Sequence, residues 1–343
     1  MKKIKYVLIT LIAIVASLLL FLGQDPKSNI SKEVDTAPTL IPLTVGYSRL
    51  RISLPVFVAK ELGIFERNGL DVSMVMYDTA QPLMQALVER QVDVAGYTAL
   101  PITYNAILRS GTSLIFITTM IEDKDHRISY LLKPVSSDKD NEISSIQDLK
   151  GKTIGILPTV AYKAWIEEIV RKNGLDPDKD LQLRPLAPAQ QAFNLQNGTV
   201  DALFTNDPAA TSAIKAGIAE LVNEEIVEVP YYIEDPFPFG SFNVTKIWAD
   251  ENPEIYKKLV ASLNEAVDYV NDYPSEAKET MKKYLPPVFA DDVLSYPNAR
   301  YLKTSDSTEE VFQNIANKYF EMKIIPSTID LSGFIESGQV SNE

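Results

Sequence analysis

The sequence predicts an α/β protein with two lobes of similar build. The first observation behind this prediction is an internal repeat, because residues 43–101 and 151–208 follow the same order of apolar strand-like runs and helix-like segments. The second is that both halves carry the break Asn-Gly-Leu-Asp, which begins at Asn68 and at Asn173. Self-similarity on this scale is typical of duplicated structural units, each built around its own packed layers.

In the first half, short apolar runs bounded by turn residues predict strands, and longer segments with helical periodicity predict helices. A run at 128–133 resembles a strand that leaves the first lobe. The predicted elements before it are a strand at 43–47, a helix at 54–62, a strand at 72–77, a helix opened by Pro82, and strands at 92–96 and 114–120.

The second half repeats this plan and is followed by a helical last third. An amphipathic helix is predicted at 253–271, where Pro253 occupies the first helical position, and another begins near Ser275. Residues 307–310 match a capping box that opens a helix to about 321, whereas 231–240 reads as too irregular for a helix. The repeated elements are a strand at 153–157, a helix at 161–171, a strand at 181–183, a helix at 190–196, a strand at 200–204, and a return strand at 241–245.

The N-terminus carries three lysines within its first five residues, followed by the uncharged apolar run 6–22. This layout is typical of a secretory signal peptide, and a run of about 17 apolar residues is also close to the lower limit for a membrane span. We therefore interpret residues 1–23 as a signal peptide or membrane anchor, which predicts export from the cytoplasm. Residues 24–42 are rich in polar residues and proline, which predicts a flexible linker.

Composition excludes several classes of function. The 343 residues contain no cysteine and one histidine, His126, so the sequence offers no disulfide, no thiol nucleophile and no histidine cluster for a metal. A net charge of −13 argues against nucleic-acid binding by the whole surface, although a small cleft can still be basic. No paired carboxylates or nucleophile–base spacing stand out. We expect neither an enzyme nor a bound cofactor.

The candidate ligand-binding residues lie in five loops that follow strands. In open α/β sheets, ligands bind beyond the carboxyl ends of the strands, where helix N-termini offer unpaired N–H donors to an anion. A guanidinium group in such a loop can bind an oxyanion with two hydrogen bonds. The candidates are Tyr47, Ser48, Arg49, Arg51, Thr79, Gln81, Tyr97, Thr98, Thr159, Val160, Ala161, Asn206 and Asp207.

Several of these residues have a structural interpretation that competes with ligand binding. Arg49 and Arg51 fit a solvated loop as well as an anion site. Asp207 precedes a proline at a helix start, which favours a helix cap over a ligand contact. Thr159 suits both a cap and a ligand contact, whereas Asp93 and Asp201 fit repeated structural positions at strand starts.

The sequence resembles the periplasmic substrate-binding proteins of ABC importers, in the nitrate, sulfonate and taurine branch that shares a domain with thiamine-pyrimidine proteins. The resemblance covers roughly residues 43–270 and is specific as a combination of motifs. It departs from the family at Thr79-Ala80, where a Ser-Gly pair is frequent, and at 206–208, where many members have Trp-Glu-Pro. The stretches that carry it are LTVGY (43–47), PVFVAK (55–60), LGIFE (62–66), GLDV (69–72), VDVA (92–95), DLKGKTIG (148–155) and GTVDA (198–202).

The resemblance implies a two-lobed periplasmic binding protein type II fold, with a mixed β-sheet flanked by helices in each lobe. Two hinge strands would lie near 127–133 and 239–245. Residues 43–128 plus 241–343 would form the first lobe, and residues 129–240 the second. The two lobes would close around one small molecule in the cleft between them.

The function that follows is an extracytoplasmic solute-binding component of an ABC importer, with an oxyanion-bearing ligand. Its partners would be the permease and its ATPase, with the membrane reached through the N-terminal segment, and the protein would act as a monomer without nucleic acid. Two alternatives stay open at this point, an anchored ligand-sensing ectodomain and a binder of a thiamine-pyrimidine-type precursor. An enzyme of the pyrimidine-precursor synthase kind is disfavoured, because its histidine and cysteine-rich stretch are missing.

Overall fold

Eleven strands form two sheets in the computed structural model, which describes residues 39–135 and 142–334. The six-stranded first sheet has the order β11-β4-β10-β3-β1-β2, and the five-stranded second sheet has the order β7-β6-β8-β5-β9. The strands are β1 (Ile41–Tyr47), β2 (Leu70–Met76), β3 (Val94–Ala99), β4 (Leu114–Glu122), β5 (Ser129–Pro134), β6 (Lys152–Ile156), β7 (Leu181–Pro185), β8 (Ala202–Asn206), β9 (Ala219–Leu221), β10 (Phe237–Thr245) and β11 (Arg300–Leu302).

Helices connect the strands and flank both sheets. Each repeated half places a helix after each of its strands, and the longest helix belongs to the predicted helical last third. The α-helices of the described residues are Leu54–Glu61, Ile64–Arg67, Ala80–Val88, Leu100–Ser110, Val160–Lys172, Pro188–Gln196, Ala209–Lys215, Glu228–Tyr232, Lys246–Glu251, Pro253–Asp272, Pro274–Thr280, Pro287–Ala290 and Glu309–Glu321.

The internal repeat is present in three dimensions. The parallel order β2-β1-β3 of the first sheet is reproduced by β7-β6-β8 in the second. Both halves hold their first strand in the same way: Asp93 accepts a hydrogen bond from the Thr44 N–H of β1 at 2.8 Å, and Asp201 accepts one from the Thr153 N–H of β6 at 2.8 Å. The structural role predicted for the two aspartates is confirmed.

The chain passes from one sheet to the other and later returns. β4 ends at Glu122 in the first sheet and β5 begins at Ser129 in the second, as expected for the run at 128–133. On the return, β10 pairs with β3 and β4 in antiparallel orientation, which makes the first sheet mixed. This strand begins at Phe237 rather than at 241, because Phe237 and Pro238 already pair with β4. The lobe boundaries stated above stay a prediction.

One local expectation holds in part and another is wrong. Residues 233–240 are not helical, as expected, but Tyr231 and Tyr232 end a short helix and the last four residues of the stretch belong to β10. The capping box at 307–310 does not form: the helix Glu309–Glu321 begins after Thr308, whose side chain makes no capping hydrogen bond. The Ser307 hydroxyl, which the motif requires as the cap, is instead buried without a hydrogen-bond partner among the described residues.

A continuous hydrophobic core connects the two sheets. Trp165, from the helix Val160–Lys172 beside the second sheet, contacts Phe237 and Phe239 of β10, with ring centroids 5.1 and 5.5 Å apart. Phe237 in turn contacts Tyr319 of the last helix. Across residues 39–135 and 142–334, no helix is long and apolar enough to cross a membrane. The predicted signal or anchor and most of the linker fall before residue 39, outside the described residues.

Candidate ligand-binding site

A pocket lies between the two sheets, next to the loop after β1 and the loop after β8. About 20 Å³ of its interior is open to the centre of a water molecule, far below the ~300–1,000 Å³ of common small-molecule sites. A space of this size holds about one water molecule, so a larger ligand fits only when the lining residues move apart. It is mostly apolar, with three polar residues. The lining residues are Leu50, Arg51, Ile52, Met120, Ile128, Asn206, Asp207 and Phe239.

Arg51 supplies the positive charge of this pocket. Its side chain is only 3% exposed, and its guanidinium donates to the carbonyls of Pro297 at 2.8 Å and Arg127 at 2.9 Å. Burial by itself would lower the pKa of Arg51, but the Asp207 carboxylate and nearby groups raise it above its ordinary value. Arg51 therefore stays a cation inside the protein.

Asp207 comes from the second sheet and forms an ion pair with Arg51, at 3.2 Å between Oδ2 and Nη1. Oδ1 accepts hydrogen bonds from the backbone N–H of Thr211 at 3.1 Å and from its hydroxyl at 2.6 Å. Asp207 thus bonds the first turn of the helix Ala209–Lys215, as predicted for a cap, and also faces the pocket. The sequence favoured a helix cap over a pocket position for Asp207, but the two roles are compatible because the two carboxylate oxygens have different partners.

Buried tyrosines surround this ion pair. Tyr130 of β5 donates its hydroxyl to Asp207 Oδ2 at 2.7 Å, and Tyr301 of β11 donates to the Arg51 carbonyl at 2.7 Å. Burial, followed by the charge of Asp207, raises the pKa of Tyr130 well above its usual range. Both phenols are therefore neutral donors at ordinary pH, and they hold Arg51 and Asp207 in fixed positions.

A C-terminal segment covers the same region. Lys278 is 5% exposed and donates to the Tyr296 carbonyl at 2.8 Å and to the Asn298 side chain at 3.0 Å. Burial lowers its pKa, and the positive charge of Arg51 adds to this effect. Between those two acceptors, Pro297 bonds Arg51. This segment thus helps to hold the Arg51 side chain in place, a role that the sequence did not reveal.

The structure brings together only part of the predicted site. Arg51, Asn206 and Asp207 line the pocket. Ser48 is buried outside the pocket lining, and its backbone N–H donates to Ser53 Oγ at 3.4 Å. Ala161 is buried, at 5% exposure, outside the pocket lining.

Three candidates pack into the first-sheet core instead. The Tyr47 ring contacts Phe57 and Tyr284 edge-on, at 5.5 and 5.6 Å. The Tyr97 hydroxyl is hydrogen-bonded to Thr118, and Thr98 is hydrogen-bonded to Thr103 at 2.7 Å. Tyr97 and Thr98 have no exposed surface. Strand alternation and core packing turn these side chains away from the loop ends where the sequence placed them.

The remaining candidates face solvent. Arg49, Thr79, Gln81 and Val160 are exposed, with Val160 65% accessible. Thr159 is also exposed, and its hydroxyl accepts the Tyr162 N–H at 3.2 Å, so its predicted capping role is confirmed. None of these five lines the pocket. Their contribution to ligand binding stays a prediction.

Two buried glutamates lie at the passage between the sheets. Glu122 Oε1 accepts from the N–H groups of Ile128 and Ser129 at 2.8 and 2.6 Å, and Glu228 pairs with Arg127 at 3.0 Å. Each carboxyl has one buried oxygen without a hydrogen-bond partner in the described structure. Burial raises the pKa of Glu122 and of Glu228 to about 7.

Within the described residues, no group of three or more His, Asp or Glu side chains is arranged to hold a metal ion. The single histidine, His126, is hydrogen-bonded through Nδ1 to Asp123 Oδ1 at 2.8 Å, near the passage to the second sheet. The polar groups of the pocket are suited to hydrogen bonding and charge pairing.

Sequence reasoning missed the apolar half of the pocket. Met120 lies within β4 and Ile128 directly precedes β5, and an apolar residue in such a position cannot be told from a core residue by its spacing. Phe239 of β10 both lines the pocket and contacts Trp165 beside the second sheet.

Comparison with known proteins identifies relatives over most of the chain. The nitrate import ATP-binding protein NrtC of Synechocystis is 25% identical over 244 residues, which is 68% of this chain and 35% of that protein. The nitrate/nitrite binding protein NrtA of Synechococcus elongatus is 25% identical over 257 residues, 69% of this chain and 56% of that protein. The chain thus matches about a third to just over half of these relatives' lengths.

The fold matches solved structures. The crystal structure of the periplasmic aliphatic sulphonate binding protein SsuA from Escherichia coli superposes with a TM-score of 0.69 and 19% identity, covering 86% of this chain and 97% of that chain. The two-lobed type II fold expected from the sequence is therefore confirmed. The sequence profile of the NMT1-like family matches residues 36–285, which is well over half of the chain. The protein belongs to the NMT1-like family.

Proposed function

We propose that this protein is the extracytoplasmic solute-binding component of an ABC importer, and that its two lobes close around a small oxyanion. The observation that carries the proposal is a pocket built by both sheets, with Arg51 contributed from one side and Asn206 and Asp207 from the other. A pocket shared in this way is complete only when the lobes approach each other. Binding and closure are then one event, as in hinge-type transitions.

The oxyanion is supported by two independent arguments. Arg51 is a buried, permanently charged group, and guanidinium binds carboxylate-like and sulfonate-like oxygens through several donors. The relatives are named for nitrate import, nitrate/nitrite binding and aliphatic sulphonate binding, which are all oxyanion chemistries. The carboxylate of Asp207 opposes such a ligand, and its effect is considered below.

The same proposal covers the partners and the location. A permease and its ATPase would receive the ligand from the closed protein, which would act as a monomer. The apolar run at 6–22 would direct export and, where it is retained, attach the protein to the outer face of the membrane. Catalysis forms no part of this proposal.

Calorimetric titration of the full-length chain in mild detergent tests the ligand class. Nitrate, ethanesulfonate and the neutral ethanesulfonamide are compared on the wild type, Arg51→Gln and Arg49→Gln. We expect the wild type to bind an anion and not the amide. Arg51→Gln should weaken that binding by at least about tenfold, which corresponds to ~1.4 kcal/mol.

Arg49→Gln is the matched control, because it removes the same charge from an exposed side chain two residues away. It should leave the affinity nearly unchanged, since charges in water are screened. Equal affinity of the wild type for ethanesulfonate and its amide would contradict the oxyanion. Equal losses of anion affinity in the two arginine variants would show that Arg51 does not bind the ligand directly.

A further inference from the structure

We infer that the Arg51–Asp207 ion pair is a latch between the two lobes, and that an oxyanion ligand must exchange with Asp207 at Arg51. The latch stands on the contacts alone, whereas the exchange rests on the proposed function. Arg51 follows β1 of the first sheet, and Asp207 directly follows β8 of the second. The pair therefore joins two parts of the chain that come together only when the lobes are close.

Each partner is held by its own side of the cleft. Asp207 is bonded by Tyr130 and Thr211, both from elements of the second-sheet side, so its carboxylate moves with that lobe. Arg51 is bonded to Pro297, just before β11 of the first sheet, and Tyr301 of β11 donates to its carbonyl. Separation of the lobes must therefore break the ion pair rather than carry it along.

Because the Arg51–Asp207 ion pair is buried, its loss costs more free energy than the loss of an exposed pair. The two side chains are 3% and 1% exposed, and removal of one partner from such a pair leaves an uncompensated buried charge. By contrast, Asp292 in the C-terminal segment binds Ser212 and Lys215 of the helix after β8, with a lysine that is 48% exposed. An exposed pair of this kind contributes little.

Asp207 also places a carboxylate where a ligand anion would contact Arg51. Two anions near one buried cation repel each other, so the second binds less well than it would alone. The oxyanion and Asp207 would therefore compete for the same guanidinium. In this arrangement Asp207 lowers the affinity for the ligand, because each binding event must displace the Asp207 carboxylate from Arg51 or bring a second anion close to it.

The latch can be measured without any ligand. The chain contains no cysteine, so spin labels can be attached only at Ser73→Cys on β2 and Gln182→Cys on β7, two exposed positions on different sheets. We expect Asp207→Asn to shift the label-to-label distances toward longer values than in the wild type. Asp292→Asn, the matched Asp-to-Asn change at the half-exposed contact, should leave the distances nearly unchanged.

A second variant guards against misfolding of Asp207→Asn. Tyr130→Phe removes one hydrogen bond from the Asp207 carboxylate but keeps both charges, and it should give an intermediate distance shift. Circular dichroism confirms that each variant is folded. An unchanged distance distribution in both Asp207→Asn and Tyr130→Phe would overturn the latch.

Titration with nitrate and ethanesulfonate tests the exchange on the same variants. Asp207→Asn should bind the anion about tenfold more tightly than the wild type, because the competing carboxylate charge is gone. A tenfold change corresponds to ~1.4 kcal/mol of binding free energy. Equal or weaker anion binding by this variant would overturn the proposed exchange. The latch would still be tested separately by the label-to-label distances. If no variant and no wild type binds either anion, the proposed oxyanion function fails, while the label distances still decide whether the latch exists.

Discussion

Among single residues, Glu122 shows most clearly what burial does to a charged group. It lies where β4 ends, its Oε1 accepts three hydrogen bonds from Ile128 and Ser129, and its other oxygen is buried without a partner. The charged and titratable groups around it are Arg127, Arg51, Glu228 and the neutral phenol of Tyr162. Burial outweighs the hydrogen bonds and the arginine, so the pKa of Glu122 rises from 4.5 to about 7.

We predict that stability falls as the pH rises between about 5 and 8, and that Glu122→Gln reduces this fall. The folded chain holds the Glu122 proton more tightly than the unfolded chain does. This stabilisation is fully present below the unfolded pKa of 4.5 and is lost as the pH rises to about 7. Glutamine mimics the protonated acid, so chemical denaturation across this range should show a shallower slope in the variant.

Glu254→Gln provides the control for this measurement, since Glu254 is 77% exposed on the long helix. Its pH dependence should match that of the wild type. Glu228 contributes in the same direction, so Glu122→Gln should reduce the slope without abolishing it. A slope equal to the wild type's would show that Glu122 has no raised pKa in the folded protein.

At the scale of elements, two threonines at helix starts allow a matched test of capping. Thr159 accepts the Tyr162 N–H at the start of Val160–Lys172, whereas Thr308 precedes Glu309–Glu321 without a capping bond. Thr159→Ala should lower the free energy of unfolding by about 1 kcal/mol. Thr308→Ala should change it by less than about 0.5 kcal/mol. Equal losses in urea unfolding of the two variants would contradict the assignment of the caps.

At the scale of the whole molecule, the shared core predicts cooperative unfolding. Trp165 beside the second sheet contacts Phe237 and Phe239 of the first, so neither sheet can lose its packing alone. Calorimetry of the full-length chain should show a single transition with equal calorimetric and van't Hoff enthalpies. A bound anion at 100 times its Kd should stabilise this transition by about 2.7 kcal/mol. Two resolved transitions would show that the lobes unfold independently.

The N-terminal run sets the expected location of the protein. Three lysines followed by an uncharged stretch at 6–22 predict that the intact chain is found with membranes after cell fractionation. Deletion of residues 1–23 should abolish export, because the signal is then missing. Recovery of the intact chain as a soluble cytoplasmic protein would contradict both the signal and the anchor interpretation.

The sequence predicted most elements, because strands and helices are read from local periodicity. The repeat even identified Asp93 and Asp201 as equivalent structural residues, since each accepts a hydrogen bond from a backbone N–H of its half's first strand. The site was predicted less well. Tyr97 and Thr98 lie within β3 instead of in a loop after it and pack inward, whereas Thr79 and Gln81 face solvent. The sequence predicts where a residue lies along the chain, but it does not predict whether the side chain points into the core, into the pocket or into solvent.

The sequence by itself determined the α/β class, the duplicated order of strands and helices, and the family, because these depend on local patterns and on motifs in fixed order. Only the tertiary structure decided that Arg51 is buried while Arg49 is exposed, and that Arg51 meets Asp207 across the cleft. The two residues are 156 positions apart, and their contact depends on how two sheets approach each other. Local sequence patterns carry no information on that distance, so the pairing that controls the cleft could be found only in three dimensions.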